Sequence, residues 1–350
     1  MNLLDVADVG DGLCMGLGTL SGSVIQIDGG GRDSTIAVKG MQRIFSHLGS
    51  PNVFILSHFH VDHYNGLLKA SAIRSSESRI TDVFFPRIPE FAERRNFFQC
   101  LFAMNEWVFG NETGIMEYDF LKAISKMNGA RIFRYRSLCR GENISINGSK
   151  FEVLWPPRII EEKTLASVRR AIEDFNIAME EDEEIGKAYR RLQESKTFGR
   201  YLQNEGIEPA IEPGPMDNLE PIAKRKKVPE IVKRANESLK RAANHLSLAL
   251  FEDNRFLFLG DAESYEIRRI VEDLEAKGRT FFLTLITPHH GTHWHRSLAR
   301  IDCINSLTSN GAGLCSRMKK EIKETFEVSR STFANGDILF PDQFLPHCAR

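Results

Sequence analysis

Apolar residues along this chain gather in short runs that close on turn residues. Val24-Ile25-Gln26-Ile27 ends at Asp28-Gly29-Gly30-Gly31, Val53-Phe54-Ile55-Leu56 runs straight into Ser57-His58, and Val83-Phe84-Phe85 is halted by Pro86. Runs of this length bounded by glycine or proline predict buried strands. Between the first two, Ile36, Met41, Ile44, Phe45 and Leu48 fall at helical spacing over residues 36–49, and Gly49-Ser50-Pro51 terminates them. Tyr64-Asn65-Gly66 opens a second helix after the second strand. Strand and helix alternate, which predicts an α/β layered domain.

The pattern then changes twice. Residues 90–128 are aromatic-rich and predict helices that cover or flank a site. Ile144 and Ile146 alternate with polar residues, Asn147-Gly148 is a two-residue turn, and Phe151 to Trp155 returns, which predicts a hairpin ended by Pro156-Pro157. Residues 158–241 differ in composition. They contain the acidic run Glu180-Glu181-Asp182-Glu183-Glu184, a Pro/Gly-rich stretch from Glu208 to Pro221 and the basic run Lys224-Arg225-Lys226-Lys227. They predict a charged helical insertion, with the acidic run on a solvated helix face. The basic run reads as a solvated linker, a phosphate contact or a localisation signal. Apolar strands resume at Ser247 to Phe251, Arg255 to Leu259 and Phe281 to Ile286. The chain therefore divides into 1–157, the insertion 158–241, and 242–350, the outer two being halves of one domain.

Composition adds exclusions. The chain has 350 residues, 42% hydrophobic and 27% charged, which is globular composition with ample material for a core. Lys+Arg is 46 against Asp+Glu 47, so a protein that coats nucleic acid non-specifically is not expected, although a local basic groove is compatible. No apolar run has membrane-span length, and MNLLDVADVG lacks the basic start of a signal peptide. The six cysteines form no CxxC pair, and the simplest expectation is free thiols in a reducing cytoplasm.

Histidine placement carries the chemistry. Of ten histidines, all but His47 and His347 bunch in three places: His58, His60 and His63; His245; and His289, His290, His293 and His295. Ser57-His58-Phe59-His60-Val61-Asp62-His63 offers three imidazoles and a carboxylate at the mouth of a strand. His58 and His60 can turn to one centre and Asp62 and His63 to its neighbour, a donor set that suits Zn²⁺, Mn²⁺ or Fe²⁺. Asp261 ends a buried strand, where bridging two metals would satisfy its charge and capping the next helix is the alternative. Of the adjacent His289 and His290, one can face the metals while the other turns away; His290 is the favoured ligand and His289 its supporting neighbour. Asp28 either orients a ligating histidine or only forms a turn. His293 and His295 either reach substrate or lie on a surface loop.

Together these residues are recognisable. HxHxDH after a strand, the upstream VIQIDGG, the downstream FLFLGD and the late HHG resemble the metallo-β-lactamase fold superfamily over residues 5–340. More narrowly, Asp8-Val9-Gly10-Asp11-Gly12, FEVLWPP at 151–157, NHLSLAL at 244–250, PHHGT at 288–292 and Asn335-Gly336-Asp337-Ile338 are similar to the hydrolase domain of ComEC-type DNA-uptake proteins and their soluble relatives. The resemblance implies an αββα sandwich with a dinuclear site at one sheet edge. It implies His58 and His60 on one metal, Asp62 and His63 on the other, Asp261 bridging and His290 completing the second. The sequence departs from the superfamily where many members place a third histidine for the first metal. Here the segment reads Ala243-Asn244-His245-Leu246-Ser247, so either His245 ligates or Asn244 faces the site. The HHGS of the narrower branch is HHGT here, and its late HP dipeptide is absent after Ser306.

Two divalent ions, zinc first and manganese second, would acidify a shared water and clamp the oxygen that gains charge. Asp62 would orient the attacking water, and His289 or His293 would protonate the leaving group. Hydrolysis follows from such a site, but the bond cleaved does not. The expected reaction is phosphodiester hydrolysis, with nucleic acid or a small phosphodiester as substrate. The alternatives are hydrolysis of a lactone, amide or thioester, and a binding component that docks a protein partner through residues 158–241.

Overall fold

A computed structural model describes residues 3–19, 21–72, 78–109, 120–129, 131–194, 202–208 and 227–341. Two mixed sheets face each other. The eight-stranded sheet runs Ile338–Pro341, Leu3–Val6, Met15–Gly18, Val24–Ile27, Val53–Ile55, Asp82–Pro86, Phe133–Leu138, Glu205–Glu208. The seven-stranded sheet runs Val328–Ser331, Asp302–Thr308, Phe281–Ile286, Phe256–Phe258, Ala249–Glu252, Ser149–Trp155, Asn143–Ile146. Parallel pairing occupies the middle of the first sheet, from Val24–Ile27 to Phe133–Leu138, and one flank of the second, from Phe256–Phe258 to Val328–Ser331.

The layers follow from the two-residue period of a strand. Val53, Ile55 and Phe84 point inward to meet Phe151, Val153, Leu250, Phe256 and Phe258 of the other sheet. Their chain neighbours Phe54, Leu56, Val83 and Phe85 point outward under helices. In the second sheet Leu257, Leu259 and Phe282 do the same beneath Ser264–Ala276, whose Ile267, Ile270, Val271 and Leu274 form its apolar stripe. Strands apolar on both faces therefore become the centre of an αββα sandwich.

The helical covering of the first sheet is deep. Arg94–Phe109 and Phe120–Met127 supply the helices expected within 90–128; residues 110–119 lie outside the described residues. Phe97, Phe98, Phe102 and Phe120 are buried, and Phe59 packs edge-on against Phe85, Phe98 and Phe102. Within 158–241 the chain forms Glu162–Glu181, Glu183–Glu194 and Glu230–Asn244, and the last of these runs three residues past the expected boundary. Their apolar positions, such as Val168, Ala171, Phe175, Ile185, Leu192, Val232 and Leu239, join the same hydrophobic cluster as Phe54 and Phe85. Glu205–Glu208 adds the edge strand of the first sheet.

The acidic run is solvated but does not lie on one helix face. It spans a break at Asp182, whose N–H caps Ala178 O while Glu183 begins the next helix. Most of the Pro/Gly-rich stretch and Lys224, Arg225 and Lys226 lie outside the described residues. The expected hairpin is present, with Asn147 at φ 42 and Gly148 at φ 91, both left-handed as a two-residue hairpin turn requires. No helix among the described residues is long and apolar enough to cross a membrane.

Candidate metal centre

Three parallel strands end at one edge of the sandwich. Val53–Ile55 leads to Ser57–His63, Phe256–Phe258 to Asp261, and Phe281–Ile286 to His289 and His290. Backbone hydrogen bonds tie these loops together: Leu248 N donates to Ser57 O (2.7 Å), Gly29 N to His63 O (2.8 Å) and His289 N to Gly260 O (2.9 Å). The glycines after Asp28 permit this approach. A Cβ on Gly30 would overlap the carbonyl group of Asp62.

Asp261 is the hub. Its Oδ2 lies 3.7 Å from Nε2 of His58, of His63 and of His289, and 3.6 Å from Nε2 of His290. Two ligand atoms on a tetrahedral zinc sit about 3.4 Å apart, so these spacings are close to those of ligands sharing an ion. The donor atoms form three groups, His58, His60 and Asp261, then Asp62, His63 and His290, and then Glu263, His289 and His293, each within 4.8 Å. Nε2 of His58, His60, His63 and His290 and Oδ1 of Asp62 are buried without a hydrogen-bond partner. Five orphaned donor atoms converging on one place are costly unless an ion satisfies them, so these residues fit a pair of divalent metals. Asp261 does not cap Ser264–Ala276; Glu263 holds that position.

Supporting hydrogen bonds fix the rings. Asp28 is fully buried and accepts from Ser57 N (2.7 Å), from Ser57 Oγ (2.5 Å) and from His63 Nδ1 (2.7 Å). His290 Nδ1 donates to Ser309 O at 2.9 Å. Each bond occupies Nδ1 and leaves Nε2 turned to the centre. Asp28 therefore fixes the His63 ring as well as forming the turn.

Charge in the site is tightly coupled. Burial alone would push His63 down, but Asp28 and Asp261 outweigh it and carry its pKa up to about 9. Burial, with little compensation, holds His60 near 3 and His289 near 4. Burial would raise Asp62, yet His63, Lys240 and His60 together keep it below the ordinary carboxylate range. Asp261 is held low against burial by His290, His289, His63 and His60.

Two expectations change here. His289 does not turn away. It and His290 both have left-handed backbones, φ 47 and φ 55. In a strand adjacent side chains diverge by about 180°, but in a helical conformation of either hand by only about 100°, so both rings reach Asp261. The open choice at 244 and 245 also closes. His245 ends the helix with Nδ1 2.9 Å from the buried Glu266, while Asn244 turns inward, its amide nitrogen 3.4 Å from the His289 ring and its Oδ1 buried without a partner.

Three residues enter the site unannounced by the sequence pattern. Glu263 Oε2 is 3.8 Å from His293 Nε2, and His293 stacks on His289 with centroids 4.1 Å apart. Lys240 acts electrostatically on His60 and Asp62. It stands one turn before Asn244, the spacing that could have revealed it. Ser309 carried no local signal. His295 caps the short turn Arg296–Arg300, accepting from Ser297 N, and stays out of the centre.

Two facing mixed sheets with helices outside, and a His/Asp centre at the ends of the parallel strands, give the chain the architecture of the metallo-β-lactamase fold. No family model matches the sequence, and no curated protein matches it. Among solved structures, the metallo-β-lactamase fold protein YhfI from Bacillus subtilis aligns over 97% of this chain and 99% of its own, at 10% identity and TM-score 0.41. A subclass B3 metallo-β-lactamase isolated from a soil metagenome library aligns over 43% of this chain and 48% of its own, at 15% identity and TM-score 0.27. A β-lactamase domain protein from Burkholderia ambifaria aligns over 41% and 42%, at 17% identity and TM-score 0.23.

Proposed function

We propose that the protein is a metal-dependent hydrolase of phosphodiesters, a nuclease or small phosphodiesterase of the ComEC-like branch. The observation that carries the hydrolase reading is the sharing of Asp261 Oδ2 by two groups of orphaned ligand atoms. The sequence motifs similar to the ComEC-type domain carry the phosphodiester reading, and Lys240 beside Asp62 suits an anionic substrate.

His58, His60 and Asp261 would hold one ion, and Asp62, His63, His290 and Asp261 the other; zinc or manganese suits this donor set. Bound ions supply an acidified water and a clamp on the oxygens that gain charge. Asp62 would orient the attacking water. Asn244 stands where many members of the superfamily this chain resembles have a third histidine, and its amide meets the His289 ring. His289 offers that imidazole, its Nε2 3.7 Å from Asp261 Oδ2. The proton for the leaving oxygen is assigned to His293, 3.8 Å from Glu263, whose charge opposes the lowering of the His293 pKa by burial.

The test is an activity panel on protein reconstituted with Zn²⁺ or Mn²⁺, with Asp62→Ala as control. The substrates are bis-p-nitrophenyl phosphate, single- and double-stranded DNA, RNA, a lactone and nitrocefin. Phosphodiester cleavage that falls at least about 100-fold in the variant is expected. Turnover of lactone or nitrocefin alone would overturn the phosphodiester reading. Bound metal with no turnover would favour a binding component.

A further inference from the structure

We infer that a basic groove between helices Glu162–Glu181 and Glu230–Asn244 binds the sugar-phosphate backbone of nucleic acid and leads it to the metal centre. The inference rests on the phosphodiester reading for the reaction at the groove's end, but the groove's binding is separately measurable.

The groove, about 450 Å³, is lined by Lys163 and Arg170 from the first helix and by Arg234, Arg241 and His245 from the second, with Glu237 its one carboxylate among the described residues. Lys163 and Arg170, and likewise Arg234 and Arg241, are seven residues apart, so each pair rides one helix face two turns apart, about 10.5 Å. Four cations against one carboxylate is unusual in a chain whose formal charge is -1. A second groove, across the other sheet, shows the contrast. It also has four cations, but three carboxylates line it, and Lys277 and Arg279 are paired with Glu152 and Asp253. Here Arg234 leans on Asp174 at 3.3 Å, but among the described residues Arg170 and Arg241 have no ion-pair partner. Both are exposed.

Position supplies the second observation. His245, in the groove, follows Asn244, whose amide meets His289. Lys240 on the same helix acts on His60 and Asp62. One helix thus carries positive charge from the groove to the ligand loop. A concave strip of fixed cations matches a polyphosphate chain. A lipid surface would call for exposed apolar side chains beside the charge, and none of the exposed large hydrophobic residues lines the groove.

The experiment uses full-length Asp62→Ala protein, which prevents cleavage, and a fluorescein-labelled 20-nucleotide single strand. Anisotropy is followed across a series of salt concentrations. Adding Arg170→Glu and Arg241→Glu should weaken binding on the order of tenfold or more and lower the salt slope by about 1.4, two contacts at about 0.7 each. Arg170→Lys with Arg241→Lys should restore both, which separates lost charge from lost fold. Unchanged affinity and slope in the Glu variant would overturn the inference, as would absence of binding at low salt. Binding to anionic phosphatidylserine vesicles that is lost in the Arg170→Glu, Arg241→Glu variant, with no binding of the strand, would overturn the inference and reassign the groove to membranes. If the groove binds DNA but the wild type cleaves no phosphodiester, the reaction assigned above fails and the groove stands.

Discussion

A metal ligand is only as good as the hydrogen bond behind it, and Asp28 shows this at the scale of one residue. Its carboxylate receives Ser57 N, Ser57 Oγ and His63 Nδ1, so it fixes both the start of the ligand loop and the tautomer of one ligand. Asp28→Asn keeps the size but offers an amide donor where an acceptor is needed. The expected outcome is a loss of about 10- to 100-fold in metal affinity, measured by competition with a chromogenic chelator. An unchanged affinity would return Asp28 to the role of a turn-former. The turn was visible in the sequence as Ile27-Asp28-Gly29-Gly30. Its partner was not, because His63 lies 35 residues away on another loop.

At the scale of elements, the ligand loop is held from beneath as well as from behind. Phe59 sits between His58 and His60 and points the other way, into Phe85, Phe98, Phe102 and Phe120. Helix Arg94–Phe109 therefore buttresses the loop through one buried ring, and Asn105 reaches toward the Phe59 carbonyl at 3.5 Å. Phe59→Ala leaves every ligand in place but empties that pocket. It is expected to cost about 3–5 kcal/mol in urea unfolding and to loosen metal binding along with it. Full metal affinity in the folded variant would show that strand Val53–Ile55 and the glycine turn position the loop unaided. The alternation of ligating and apolar residues was legible in HFHVDH. The identity of the helix receiving Phe59 was not, since that is a matter of packing between segments far apart in the chain.

For the whole molecule, the two sheets bring together charged and polar donors that repel or stand unsatisfied without a cation. Asp261 comes from one sheet, and His58 and His63 from the other, so a metal held between them would staple the layers. Loading should raise stability by about 2.7 kcal/mol at a free metal concentration 100 times the dissociation constant. Differential scanning fluorimetry on chelator-stripped protein should show Tm rising by several degrees on adding Zn²⁺, and Asp261→Asn should respond far less. Equal responses in the two proteins would remove Asp261 as the shared ligand.

The sequence by itself determined the strands that lead to the site, Val24–Ile27, Val53–Ile55, Phe256–Phe258 and Phe281–Ile286, with the turn after each and the titratable residues at their ends, because alternation, glycine and proline act locally; it did not announce Phe133–Leu138, Asp302–Thr308 or Val328–Ser331. It also marked Asp261 and the HxHxDH segment as the candidate site, and left Asp28 open between orienting a histidine and forming a turn. Only the tertiary structure decided which residues meet. It turned Asn244 inward and His245 to Glu266, brought both His289 and His290 to Asp261 through two left-handed residues, and placed Glu263 against His293. It also packed the helices of 158–241 into the core of the first sheet, where their charged composition had suggested a separate segment. The reason is common to all of these. Local propensity fixes the direction of a side chain relative to its own strand or helix, whereas its partner is fixed by where another element, often a hundred residues distant, is held by the burial of apolar surface.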